Sequence, residues 1–211
     1  MTPAGERASH WDDTYATRGA QEVSWFQPEP TVSLEIVREL EVDPSTPVID
    51  VGGGASVLVD RLLSAGFDDI TVLDISEVAL ATARNRTGEI ERVTWLQEDV
   101  LAWKPGRRYG LWHDRAAFHF LTTPHDRDAY VNTMSCALRP GGFVVVATFA
   151  GDGPEYCSGL PVARYTADDL VAVLGPRFCP RLTRREEHTT PAGVLQPFTW
   201  VAGTFSPPSS G

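Results

Sequence analysis

A chain of 211 residues, 42% hydrophobic and 22% charged, suits one globular domain with a full-sized core. Its 28 acids against 18 bases give a formal charge of -10, which repels phosphate backbones and argues against nucleic acid as a partner. No apolar run reaches the length of a membrane span, so no membrane partner is expected.

The first ten residues are polar and lack a signal-peptide core, so they read as disordered and a cytoplasmic location is expected. An aromatic-rich entry follows, His10-Trp11-Asp12-Asp13-Thr14-Tyr15 and then Ser24-Trp25-Phe26-Gln27. Pro28 and Pro30 break any helix there, and Val32 to Leu40 reads as a helix with Leu34, Val37 and Leu40 on one face. Pro47 to Val51 is a short β-branched strand that Gly52-Gly53-Gly54 ends abruptly. Ser56 then opens an amphipathic run through Val57, Leu58, Val59, Leu62 and Leu63. A strand, glycine turn and helix in this order bring backbone N–H groups and a helix N-terminus up to a ligand. Ile70 to Asp74 is a second strand ending in a carboxylate, placed to accept both hydroxyls of a ribose. A nucleoside-bearing cofactor is the first inference.

Alternation continues along the chain. Glu77 to Arg86 is a helix, Val93 to Leu96 a third strand, and Tyr109 to His113 a fourth. Pro124 to Leu138 is a longer helix. Leu138-Arg139-Pro140-Gly141-Gly142 stops it and leads into the buried strand Phe143 to Ala147. Thr166 caps a helix to Leu174, and Arg181–Glu187 with Gln196–Phe205 form a late hairpin. The tail, 207–211, is low-complexity and reads as disordered. The fold expected is α/β: one doubly wound, mostly parallel seven-stranded sheet with an antiparallel C-terminal edge hairpin and helices on both faces. Residues 1–46 would be an entry segment and 47–206 the core, together one structural domain.

Glycine spacing bears on the cofactor. A dinucleotide fingerprint needs a third glycine where Val57 stands. Asp50-Val51-Gly52-Gly53-Gly54-Ala55-Ser56 instead fits acid-x-Gly-x-Gly-x-small, and this resembles motif I of the class I S-adenosylmethionine-dependent methyltransferases. Gln97-Glu98-Asp99-Val100 after the third strand and Leu-x-Pro-Gly-Gly before the fifth are similar to the same family, from about Trp11 to Phe205. The resemblance implies S-adenosylmethionine as cofactor and S-adenosylhomocysteine as product. It places Asp50, Gly52, Gly53, Gly54, Ser56, Asp74 and Ile75 at the cofactor, with Asp99 on the adenine amino group and the backbone of Val100 on a ring nitrogen. The aromatic entry could simply cover the sheet edge; the resemblance offers the alternative of an N-terminal lid, with Trp11, Tyr15 and Arg18 toward the methionine end and Trp25 and Phe26 walling a substrate pocket.

Chemistry belongs at the carboxyl ends of the strands. After the fourth strand, His113, Asp114, Arg115 and His119 are the candidate catalytic groups, as base, orienting acid or substrate ligand, with Arg115 able to hold a carboxylate or order the loop. The structural alternative is an Asp114–Arg115 pair or local hydrogen bonds fixing a turn, with His119 in a helix interior. The Asn/Asp-Pro-Pro-aromatic run of amino-methylating branches is missing there, which counts against a nucleobase or amide. After the fifth strand, Phe149, Arg164 and Tyr165 are candidates for substrate orientation, with His188 and Gln196 as weaker ones. Cys157 is not read as a nucleophile, because transfer from a sulfonium needs none. The three cysteines (Cys136, Cys157 and Cys179) and the five histidines lack metal or disulfide spacing, so no metal is expected. The expected activity is in-line methyl transfer to a small molecule, such as a thiol or other soft nucleophile. Alternatives are a protein-lysine N-methyltransferase and, more remotely, an NAD(P)-dependent oxidoreductase or a non-catalytic nucleotide-binding protein. The chain reads as a monomer or dimer.

Overall fold

The computed structural model describes residues 4–206, so the expectation of a disordered tail lies outside the described residues. Helices α1 (Ala4–Arg18) and α2 (Thr31–Glu39) precede strand β1 (Val48–Val51). Then come α3 (Leu58–Ser64), β2 (Ile70–Asp74), α4 (Glu77–Thr87), β3 (Val93–Gln97) and β4 (Tyr109–Arg115). A 3₁₀ turn (Phe118–Phe120) leads into α5 (Pro124–Ala137) and β5 (Leu138–Phe149). The small hairpin β6 (Tyr156–Cys157) and β7 (Leu160–Pro161) precedes α6 (Ala167–Leu174), β8 (Phe178–Thr189) and β9 (Leu195–Phe205).

The sheet has seven strands in the order β3-β2-β1-β4-β5-β9-β8. β1 to β5 pair in parallel, and β9 runs antiparallel to both β5 and β8. The expected doubly wound sheet with its C-terminal edge hairpin is what is found. Because side chains alternate along a strand, each strand feeds two cores. Val48, Val145 and Ala147 join Ile36, Leu62 and Leu80 on one face. Ile49, Val144 and Val146 join Tyr130, Met134 and Leu170 on the other. Strand order reverses between β1 and β4, so the crevice outside their carboxyl ends is where a ligand would fit.

Three local readings change. Residues 4–10 are helical, within α1, because Arg7, Trp11 and Tyr15 recur every four residues and bring one helix face to the crevice. The stretch after β5, read as a loop, contains the β6–β7 hairpin. β4 runs two residues past His113, to Arg115, because β5 continues to pair with it through Arg115↔Ala147. That extension decides where the candidate groups of β4 point.

Candidate active site

The glycine corner is built by contact. Gly52 and Gly54 have φ of +67° and +44°, a region other residues enter at a cost. A Cβ on Gly53 would lie 2.6 Å from Asp50 Oδ2, and one on Gly54 would lie 2.9 Å from Asp74 Oδ2 and 3.0 Å from Tyr15 Oη. Side chains here would therefore fill a cradle lying between two carboxylates and a phenol. Asp74 ends β2, accepts a hydrogen bond from the Ser76 amide at 2.8 Å, and borders the cleft. Burial, with a smaller push from Asp50, raises its pKa to about 7.

The cleft opens from this corner in two directions. The larger cavity, about 140 Å³, is bordered by Asp74, Ile75, Asp99, Val100 and Leu121 and also by Trp11, Trp25, Arg115, Phe120 and Cys157. A smaller one, about 50 Å³, is bordered by Asp50, Gly53, Ser56, Phe26, Ser33 and His113. Tyr15, Trp25, Gly52 and Arg115 border both. Trp25 Nε1 donates to Tyr15 Oη at 3.1 Å. Trp11 packs edge-on against Trp25 and Phe120, with ring centroids 5.7 and 4.9 Å apart.

Helix α1 is tied to this cleft at several points. Arg7 pairs with Asp99. The Asp12 carboxylate accepts from Ser76 Oγ at 2.6 Å and from the Val78 amide at 3.2 Å, at the N-terminus of α4. Ser76 in turn caps α4 by accepting from the Ala79 amide. Arg7 lay in a stretch that sequence reasoning treated as disordered; the signal was its four-residue spacing to Trp11 and Tyr15.

The candidates of β4 divide between the two faces of the sheet. His113 sits opposite Asp50 in the β1–β4 register. Its Nδ1 lies 2.7 Å from Asp50 Oδ1 and its Nε2 lies 3.0 Å from Ser33 Oγ on α2. The order matches a hydrolytic triad, but Ser33 and His113 are only 1% and 3% exposed, and the arrangement fixes the Asp50 carboxylate. Asp114 faces the opposite side, where it accepts from the Ala117 and Phe118 amides and from Tyr130 Oη. It holds the 3₁₀ turn, and burial raises its pKa to about 6. Neither cavity is bordered by Asp114 or His119. His119 packs against Phe120 and Phe149, and burial lowers its pKa to about 3.

Arg115 alone of the four borders the larger cavity. Its Nη1 donates to the Trp25 carbonyl at 3.0 Å, and its guanidinium lies 4.4 Å from the centroid of Phe198. Residue 116 then turns the chain, with φ of +71° at Ala116. Of the other substrate candidates, Phe149 is core, and Arg164 pins its own loop through the Gly153 carbonyl and Glu155. Tyr165 is buried against Phe118. His188 holds the Ser24 carbonyl at 2.8 Å, and Gln196 is buried. Cys157, passed over as a nucleophile, borders the larger cavity as a protonated thiol, its pKa raised by burial to about 11.

A family described as a methyltransferase domain matches residues 48–142. That match covers a little under half of the chain and marks this part as resembling a methyltransferase domain. The matched residues run from β1 into β5 and so contain the glycine corner, Asp74 and Asp99. Malonyl-[acyl-carrier protein] O-methyltransferase 2 of Ilyobacter polytropus is 23% identical over 106 residues, covering 50% of this chain and 40% of that protein. The chain thus spans about two fifths of that relative's length. EEF1A lysine methyltransferase 2 of Danio rerio is 24% identical over 159 residues, 66% of each chain. Among solved structures, the Burkholderia thailandensis 1,6-didemethyltoxoflavin-N1-methyltransferase with bound 1,6-didemethyltoxoflavin and S-adenosylhomocysteine has the same fold. It superposes with a TM-score of 0.71 at 19% identity, over 98% of this chain and 92% of that one. No helix among the described residues is long and apolar enough to cross a membrane.

Proposed function

We propose that this chain is an S-adenosylmethionine-dependent methyltransferase acting on a small molecule. One observation carries the reading: Gly52, Asp74 and Asp99 border a single cavity whose wall also holds Trp11, Trp25, Phe120 and Arg115. Asp74 would accept the ribose hydroxyls. Asp99 and the Val100 amide would read adenine beside Ile75, and α1 would act as the lid. The methionine end would pass Gly52 into the smaller cavity, toward Tyr15 and the fixed Asp50.

Bound S-adenosylmethionine supplies an activated methyl on a sulfonium, which an acceptor lone pair attacks in line as the carbon–sulfur bond breaks. The residues of this chain would then align the acceptor and exclude water. Around the acceptor end, Tyr15 and Cys157 are held protonated by burial, and His113 is committed to Asp50 and Ser33. This favours an acceptor that is already ionised or soft, since among the described residues around Trp25, Arg115 and Phe120 no free base stands ready to deprotonate an alcohol or ammonium. A lysine acceptor would also bring its ammonium against Arg115, which disfavours the protein-lysine reading despite the zebrafish relative.

Calorimetry tests the cofactor: S-adenosylmethionine and S-adenosylhomocysteine should bind and NAD(H) should not, and the reverse would remove the reading. Tritiated cofactor incubated with cell extract then separates acceptors. Label in extractable small products is expected, whereas labelled protein bands would favour a protein substrate.

A further inference from the structure

We propose that Arg115 anchors a carboxylate-type anion on the methyl acceptor. This rests on the methyltransferase reading and goes further, assigning the acceptor a chemical class.

The argument starts from unmet donors. The Arg115 side chain is only 9% exposed, and its Nη1 is used by the Trp25 carbonyl. Nε and Nη2 are buried without a hydrogen-bond partner. These two nitrogens form one edge of the planar guanidinium, the fork that matches the two oxygens of a carboxylate. Glu186 is the nearby acid, but its Oε2 stands 3.8 Å from Nε. Its two oxygens already accept from Gln27 Nε2 and Trp200 Nε1, at 2.7 and 2.8 Å. The Glu186 carboxylate offsets the charge without satisfying these donors, and buried donors without a hydrogen bond are costly, so a fitting anion would be held firmly.

Position sets this anion apart from the adenosine end of the cofactor. Arg115 stacks on Phe198 of β9 and faces Glu186 of β8, on the far side of β4 from the β2 and β3 tips that carry Asp74 and Asp99. The walls beside it, Trp11, Trp25 and Phe120, are aromatic. The occupant that fits is a small molecule with an apolar body and one carboxylate. An arginine stays charged even when burial lowers its pKa, as here, so the anchor works across the physiological range.

The test uses the full chain saturated with S-adenosylhomocysteine and a matched pair of probes, phenylacetate and phenylacetamide, followed by calorimetry. Phenylacetate should bind about ten- to hundredfold more tightly than the amide, the span of a charge-assisted hydrogen bond. Arg115→Gln should abolish that preference and Arg115→Lys should keep part of it, while cofactor affinity reports whether each variant is folded. If Arg115→Gln does not fold, the acid–amide comparison on the wild-type protein decides. Glu186→Gln should tighten phenylacetate binding by removing the neighbouring negative charge. Equal binding of the two probes, or none by either, would overturn the proposal and leave the methyltransferase reading standing. Competition between phenylacetate and S-adenosylhomocysteine would also overturn it, by assigning Arg115 to the cofactor's own carboxylate. If S-adenosylhomocysteine fails to bind, the functional reading falls, and the acid–amide pair on the free protein still decides whether Arg115 is an anion site.

Discussion

In the proposed ribose role Asp74 would meet two opposed demands. An ionised carboxylate would accept the hydroxyls best, yet burial pushes its pKa to about 7. Affinity for S-adenosylhomocysteine should therefore weaken as pH falls through about 7 and level off above it, which calorimetry across that range would reveal. Asp74→Ala should cost about 1–3 kcal/mol of binding, the range for a hydrogen bond to a charged group, and unchanged affinity in a folded variant would refute the ribose role. Gly52→Ala should be worse tolerated, since the new Cβ meets Ala117 Cβ at 2.5 Å on a backbone with φ of +67°. A loss of about 2 kcal/mol or more in chemical denaturation is expected. These positions were legible because strand, glycines and carboxylate are contiguous in sequence, and their chemistry follows from local geometry. His113 and Asp114 were legible as chemistry but not as geometry. Strand alternation puts them on opposite faces, and the pairing of β4 with β1 and β5 shows what each meets there.

Among the elements, α1 was hardest to see. Its sequence is polar, and what orders it are partners remote in the chain: Asp99 for Arg7 and the start of α4 for Asp12. No periodicity argument reaches across such separations, although the aromatic cluster Trp11, Tyr15 and Trp25 was visible as a unit. Asp12→Ala removes the acceptor of two hydrogen bonds at the N-terminus of α4. It should lower stability by about 1 kcal/mol, as loss of a helix cap does, and weaken S-adenosylhomocysteine binding too, because Ser76 positions both α4 and the Asp74 carboxylate. A drop in stability with unaltered affinity would show that α1 is packing rather than lid. The β6–β7 hairpin was missed for another reason: each strand has two residues, too few for any alternation to register.

For the whole molecule, buried titrating groups oppose one another. Asp74 and Asp114, raised to about 7 and about 6, keep protons that the unfolded chain has already released, so folding loses stability as pH rises from the ordinary carboxylate range to those values. His119, lowered to about 3, refuses a proton that the unfolded chain takes up below the ordinary histidine range, so its contribution is lost as pH falls. The two effects partly cancel, and a shallow stability profile is expected through the weakly acidic range. Asp74→Asn should unbalance it, making the ligand-free protein relatively more stable toward neutral pH while impairing cofactor binding. Urea titrations at several pH values would show whether it does. Finally, the hydrogen-bonded rings of Tyr15 and Trp25 stand between the two cavities, and α1 ends just before Gly19, whose φ is +73°. A nucleoside with an amino-acid tail that occupied both cavities would have to pass this pair, which would then act as a gate. Stopped-flow tryptophan fluorescence should then record an association rate that saturates with S-adenosylhomocysteine concentration, the plateau reporting how often the gate opens.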